Sequence, residues 1–442
     1  MSSASSLPRW LDNMRTPSRS PKTLLLLAFS AIVFLTFTGR WFTLPGASTA
    51  NDKAHPVPIY DAIHDQSRQG DIEWTWTPER DRDNSFLSDA HCESAFPSLY
   101  EEIDRAAAFW AKSRRKITPA NIDLDWSWDG GLRCMIYNQQ LYIIYSRGLN
   151  HFDHWWERHH ATLQSIYRAI MTAPEPVPNI EFSIKINDVV NITDDFPDTT
   201  FWTFSRDIHN SVHDRLWVIP DFNFWAYPRV AGSFRDFQHR AMEVGGDFKS
   251  KVPKLVWRGT LDFNREVREP LLEQSKGQPW SDVVRVDEDA NADARITMED
   301  HCKYKFAVHT EGTTWSGRLK YLLSCNVVVF AHPLTYYTHL YHLLQPEGPQ
   351  QNFVSLKKDW SDLPAQVQGM LDNEQKAEMV ANNAAAVFRD RYATPAAQMC
   401  YFRRLFKVWR QSSFEPDPFE ITKLTDGTVY KKVRGMTFEE YM

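Results

Sequence analysis

The stretch Glu299–Phe330, EDHCKYKFAVHTEGTTWSGRLKYLLSCNVVVF, constrains the fold more than any other part of the chain. Lys305–Thr310 has the pattern of a strand, and Glu311–Ser316 is a polar turn with a glycine at Gly312. Gly317–Ser324 reads as a helix with Arg318 in its first turn, and β-branched Asn326–Phe330 reads as a second, buried strand. A strand, a small-residue turn, a helix and another apolar strand predict a βαβ unit of a parallel sheet. Free N–H groups at a helix start favour an anion, and Arg318 adds a permanently charged, bidentate donor. The same pattern also occurs in an ordinary βαβ unit whose arginine is merely exposed.

A second segment supports the anion reading. Lys254–Gly259, KLVWRG, is an apolar strand that ends on Arg258, followed by Gly259 and Thr260. In open α/β sheets, ligands sit beyond the carboxyl ends of strands. Arg268-Glu269-Pro270-Leu271-Leu272 then opens another helix; Arg268 could bind an anion or pair with Glu269 or Glu273. Together, WRGT…VREPLL and DHCKYKF…EGTTWSGRLKYLL resemble glycosyltransferase family 90 over roughly Cys92–Phe406. This family contains protein O-glucosyltransferases and fungal capsule-associated xylosyltransferases. The resemblance implies an α/β protein of GT-B type, with two Rossmann-like domains facing a cleft. It also implies a UDP-sugar donor, a glycan or glycoprotein acceptor, and inverting transfer without a metal cofactor.

On this reading the donor is held by Arg258, Gly259, Thr260, Arg268, Gly312, Thr313, Thr314, Ser316 and Arg318. The base that takes the acceptor proton is expected to be a carboxylate at a strand end in the other domain. Asp188, after the strand Ile180–Ile186, is the first candidate, with Asp195 in Asp194-Asp195-Phe196-Pro197 as the alternative. The family's arginine before that aspartate is Asn187 here, and no Tyr-Pro follows. A bland alternative for Asp188 is an Asx turn that ends the strand. Asp123-Leu124-Asp125 and Asp287-Glu288-Asp289 resemble the DxD of metal-dependent transferases, but neither follows a convincing buried strand. His151, His154, His159 and His160 fit a polar helix face better than a metal site, because their spacing shares one helical face poorly.

The apolar run Thr23–Phe42 is long enough to cross a bilayer, and Arg9, Arg15, Arg19 and Lys22 precede it. It is expected as a signal anchor, with a cleaved signal peptide ending near Ser48-Thr49-Ala50 as the alternative. The expected order is a cytosolic tail (1–22), an anchor (23–42), a stem (43–90) and an acceptor-side domain (91–246). A UDP-sugar-binding domain (247–412), whose last helix crosses back, and a C-terminal tail (413–442) follow. The expected setting is a single-pass type II Golgi membrane protein with a lumenal catalytic part, serving a capsule, cell-wall or glycoprotein glycan. Within the elements, Ser98–Lys116, Phe152–Met171, Glu374–Arg391 and Ala396–Arg410 are predicted helices, and Leu141–Ile144 and Trp217–Ile219 are predicted strands.

The chain of 442 residues is 43% hydrophobic, enough for a large core, and its net charge of −6 gives no reason to expect a nucleic-acid partner. Its 17 tryptophans suit a core and are compatible with sugar platforms. Five cysteines in a secretory protein suggest disulfides with one cysteine left over. The family resemblance implies Cys302 with Cys325 and Cys92 with Cys400, leaving Cys134 free. Asn191-Ile192-Thr193 is a glycosylation sequon. Two rivals accompany the transferase reading: a protein O-glucosyltransferase proper, and an inactive glycan-binding scaffold.

Overall fold

The computed structural model describes residues 74–127, 129–149, 152–190, 192, 198–287 and 291–442. The expected cytosolic tail, the anchor and most of the stem lie outside these residues, as do His151, Asn191, Thr193, Asp195, Glu288 and Asp289. Among the described residues no helix is long and apolar enough to cross a membrane.

Two sheets organise the chain. The first contains β1 (Gly131–Tyr137), β2 (Gln140–Arg147), β3 (Ile180–Lys185), β4 (Trp202–Thr203) and β5 (Trp217–Val218). Met436–Thr437 completes it on the β2 edge. β1 runs antiparallel to both β2 and β3, whereas β3, β4 and β5 are mutually parallel. This sheet is therefore mixed, which departs from the expected pair of Rossmann-like sheets. Asn138 and Gln139 make the two-residue β1–β2 turn with φ of 49° and 64°, the left-handed pair that suits a right-twisted hairpin.

β1 escaped the sequence pattern. Its first six residues are buried, and Arg133 lies among them. Arg133 Nε donates to Glu181 of β3 at 2.7 Å, so an ion pair occupies an interior position that periodicity reads as surface.

The second sheet contains β6 (Val252–Gly259), β7 (Ser281–Arg285), β8 (Tyr304–His309), β9 (Val328–Ala331) and β10 (Val354–Ser355). Its order is β7-β6-β8-β9-β10, all parallel. The runs Leu255–Trp257, Phe306–Val308 and Val327–Phe330 are at most 1% exposed, as expected for strands covered on both faces. After β6 the chain adds β7 on one side, then returns to add β8 on the other. The carboxyl ends of β6 and β8 therefore flank the point where the winding reverses, and crevices form at such points.

The helices relevant to the site are α1 (Asp89–Ala95), α2 (Asp153–Met171), α3 (Arg265–Ser275), α4 (Arg318–Leu323) and α5 (Pro395–Ser412). α5 lies against the first sheet. Its Trp409 donates to Glu181 O at 3.0 Å, and its Tyr401 donates to Val218 O at 2.6 Å. Cys92 of α1 is bonded to Cys400 of α5, with Cα atoms 5.5 Å apart. Cys302 is bonded to Cys325, Cα atoms 4.7 Å apart, and Cys134 is free and buried. Lys251 Nζ donates to the carbonyl oxygens of both Cys302 and Cys325, at 2.5 and 3.0 Å, fastening the entry of β8 to the exit of α4.

The segment expected as a tail is folded. Phe419–Lys423 and Val429–Val433 pair as a hairpin before the chain joins β2. Gly435 makes that junction at φ +82°, where a Cβ would stand 2.5 Å from Ile143 O.

Candidate active site

The turns after β6 and β8 bring the expected donor residues together. Gly259 ends β6, and a Cβ there would lie 2.6 Å from the Trp257 ring. After β8 the chain runs Thr310-Glu311-Gly312-Thr313-Thr314-Trp315-Ser316 before Gly317 caps α4. Gly312 N–H donates to Thr314 O at 3.0 Å and closes the turn. At Gly317 a Cβ would stand 2.7 Å from Asn223 Nδ2. α4 has only six residues, so its dipole contributes little and arginine side chains carry the positive charge.

The three arginines differ. Arg258 is engaged: it donates to Ala294 O (2.8 Å), Asp282 O (2.6 Å) and Asp282 Oδ1 (2.9 Å), bracing β6 against β7 and the following loop. Arg268, 8% exposed, bridges the two turns by donating to Thr260 O at 2.8 Å and Glu311 O at 3.1 Å. Its Nε has no partner, and its guanidinium lies over the rings of Trp257 and Phe263. The alternative pairing with Glu269 is not made, because Arg265 takes that carboxylate at 3.2 Å. Arg318 is half-buried and has no hydrogen bond or ion pair with any described residue. Burial, then repulsion from Arg268, pushes its guanidinium down to about 10.

An arginine without a carboxylate, beside a second arginine, is costly unless an anion meets it. Lys320, two residues on, makes the contrast: it is buried and bound to both carboxylate oxygens of Asp221, at 2.8 and 3.0 Å. Further unpartnered buried atoms accompany these arginines: Thr260 Oγ1, Trp315 Nε1 and both ring nitrogens of His309 at or after the strand ends, and His301 Nε2 in the turn ahead of β8. Each such atom costs on the order of 1–3 kcal/mol unless water or a ligand meets it. Burial, reinforced by Arg318, lowers His301 to about 4. His309 is depressed further by burial, His332, Arg318 and Arg268. Both imidazoles are therefore neutral near pH 7. Local pattern did not single out either histidine, and the position of His309 at the end of a buried strand was the available signal.

Beside the turn opens a cavity of about 570 Å3, lined in part by Phe263, Asn264, Glu311, Gly312, Thr313 and Tyr336. Thr313 faces solvent, and Ser316 is half-buried beside Gly317 and Lys320. Glu311, 3% exposed, accepts from the backbone N–H groups of Thr335 (2.9 Å) and Tyr336 (2.8 Å). Burial nevertheless pushes its carboxyl up to about 7 from an ordinary 4.5. The folded state thus holds this proton more tightly than the unfolded chain does. The associated stability is complete below about pH 4.5 and is lost as pH rises through about 7. Glu311→Gln is expected to raise the melting temperature more at pH 8 than at pH 5, by up to about 3 kcal/mol in unfolding free energy. Equal effects at the two pH values, measured by thermal denaturation, would remove Glu311 from this account.

Asp188 follows β3, in the first half of the chain. Its carboxylate is 41% exposed and accepts two bonds from Arg158 of α2, at 2.9 and 3.2 Å. Arg158 in turn lies over the Phe222 ring at 4.9 Å. The bland Asx-turn role falls to the neighbouring residue: Asn187 Oδ1 accepts from Val189 N–H at 3.2 Å, which leaves the Asp188 carboxylate out of the turn. The end of β3 meets the turn after β8 directly, where Thr314 Oγ1 donates to Asp188 O at 2.8 Å. His154, on the same helix as Arg158, is lowered by burial and then by Arg158. His159 and His160 hydrogen-bond to carbonyls of their own helix, and among the described residues no His, Cys, Asp or Glu group is arranged to hold a metal ion. Asp125 pairs with Arg147 in an exposed turn.

The site thus combines two close arginines at a winding reversal, a cluster of unmet polar atoms and, on the segment that Thr314 touches, the Asp188 carboxylate held by Arg158. Such a set can hold a diphosphate-sized anion and move a proton beside it. Protein O-glucosyltransferase 2 of Danio rerio is 31% identical over 116 residues, covering 26% of this chain and 22% of that protein. Protein O-glucosyltransferase 3 of Homo sapiens is 24% identical over 289 residues, covering 61% and 54% respectively. These matches span about half the length of the relatives, or less. The crystal structure of Anabaena Alr3699/HepE in complex with UDP-glucose aligns with 42% of this chain and 53% of that chain, at 12% identity and a TM-score of 0.25. The profile of glycosyl transferase family 90 matches residues 90–416, from α1 to beyond α5 and across both sheets, and the chain belongs to that family.

Proposed function

We propose that the protein is a UDP-sugar-dependent, inverting glycosyltransferase of GT-B architecture that transfers glucose or xylose to a hydroxyl of a glycan or glycoprotein. The observation that carries this reading is Arg318, a half-buried cation with no anionic partner among the described residues, set beside Arg268 at the β6–β8 reversal. The relatives are named as protein O-glucosyltransferases, which favours glucose over xylose as the donor sugar. Two disulfides fit an oxidising compartment, and the reading keeps residues 23–42 as a Golgi anchor with a lumenal catalytic part.

In the proposed reaction, Asp188 takes the proton of the acceptor hydroxyl. The acceptor oxygen forms a bond to the anomeric carbon as the bond from that carbon to the UDP oxygen breaks. UDP leaves with that electron pair, and Arg318 and Arg268 meet the charge that develops on it. Fixed cations at the leaving group supply what a divalent metal supplies in other transferases, so no metal is required. A glycan-binding scaffold without turnover would need neither the uncompensated arginine nor the Asp188 carboxylate.

The test is thermal unfolding of the purified protein with UDP, in EDTA and in Mn2+. UDP is expected to stabilise the protein equally in both, by about 3 kcal/mol at a hundredfold excess over Kd. No shift with UDP would overturn the donor reading, and a shift only with Mn2+ would overturn metal independence.

A further inference from the structure

The family resemblance assigns Thr314 to the donor, together with its neighbours Thr313 and Ser316. The structure turns its side chain the other way. The Thr314 hydroxyl donates to the backbone carbonyl of Asp188 at 2.8 Å, across 126 residues of sequence. Thr314 is only 4% exposed, so the bond is shielded from water. The same residue's carbonyl accepts from Gly312 N–H at 3.0 Å and so closes the donor turn. A β-branched side chain has few χ1 choices, which keeps the hydroxyl where the turn puts it. One residue therefore shapes the turn through its main chain and reaches the end of β3 through its side chain.

Among the described residues, Asp188 is also held by the ion pair of its carboxylate with Arg158. That pair orients the side chain from α2. It says nothing to the donor sheet, because Arg158 and Asp188 both belong to the first half of the chain. The Thr314 bond is the direct hydrogen bond seen between the donor turn and Asp188.

We propose that Thr314 is a positioning residue that couples the donor turn to Asp188, holding the base at the place where the seated donor presents its anomeric carbon. This rests on the reading of Asp188 as base and of the β8–α4 turn as the donor site. Misplacing a reacting group by about 1 Å can cost on the order of a hundredfold in rate, whereas the donor's own contacts are left in place. A valine at this position keeps the shape and removes the hydroxyl; a serine keeps the hydroxyl.

The experiment follows UDP release from UDP-glucose with water as acceptor, alongside UDP binding by calorimetry. Thr314→Val is expected to lower kcat about tenfold or more, with the UDP Kd changed less than about twofold and the protein still folded, its melting temperature lowered by loss of one buried hydrogen bond. Thr314→Ser is expected to recover most of the rate. In an Asp188→Asn background, Thr314→Val should cost little further, since the group it positions is gone. An unchanged kcat in Thr314→Val, or the same loss in the presence and absence of the Asp188 carboxylate, would overturn the coupling while leaving donor binding intact. A weakened UDP Kd with unaltered kcat would return Thr314 to the donor and also overturn it. Failure of the unaltered protein to bind UDP would overturn the donor-site reading beneath it.

Discussion

Replacing Arg318 with alanine is expected to weaken UDP binding by about a hundredfold or more while leaving the fold intact. The magnitude follows from the loss of charge-assisted bonds to a diphosphate, each worth roughly 1.5–3 kcal/mol in a site shielded from water. The second half of the expectation follows from the free protein. Arg318 has no partner to lose among the described residues, and it is repelled by Arg268. Removing it relieves an uncompensated charge, so the melting temperature should hold steady or rise slightly. Arg258→Ala should behave in the opposite manner, because that guanidinium braces Asp282 and Ala294. Calorimetric titration with UDP and a melting curve separate the two outcomes. An Arg318→Ala protein that binds UDP as before would end the assignment.

Asp188→Asn is expected to reduce turnover by a factor on the order of 10² or more, with UDP affinity little changed. The substitution keeps the size of the side chain and removes the proton acceptor. It also weakens the two-bond contact with Arg158, so part of the loss could come from a displaced side chain. Arg158→Gln addresses this. It keeps the carboxylate, and a positioning contribution from Arg158 lowers the rate less than loss of the carboxylate does. If Asp188→Asn is active and Asp195→Asn is not, the base lies seven residues later and the alignment of this strand end with the family is displaced.

The parallel sheet was readable because its strands are buried on both faces. Leu255–Trp257, Phe306–Val308 and Val327–Phe330 are unbroken apolar runs, and Gly259 and Gly312 punctuate the first two. The small mixed sheet was harder. β1 hides an arginine whose partner, Glu181, is 48 residues away, and no local pattern reports that charge neutralisation. The final residues looked polar enough for a tail, yet Met436–Thr437 finds an open strand edge on β2, which satisfies backbone groups rather than side chains. The π-helical turn Ala385–Tyr392, between the helix Glu374–Ala384 and α5, was likewise merged into one predicted helix, because periodicity alone does not resolve a one-residue change of winding.

At the site, the residue types were legible and their employment was not. Short-range chemistry determines that a βαβ unit ends in Gly312–Arg318, that KLVWRG ends a strand, and that Asp188 closes another. The two disulfides followed from resemblance to a family and are present. Only the tertiary structure decides that Arg258 is spent on Asp282 while Arg318 finds no partner among the described residues, that Arg268 ties Thr260 to Glu311, and that Thr314 reaches Asp188. The physical reason is range. Propensity and hydrophobic period act over a turn or a strand, whereas the partner of a charge or a hydroxyl is chosen by whichever group packing brings within about 3 Å, from any distance along the chain.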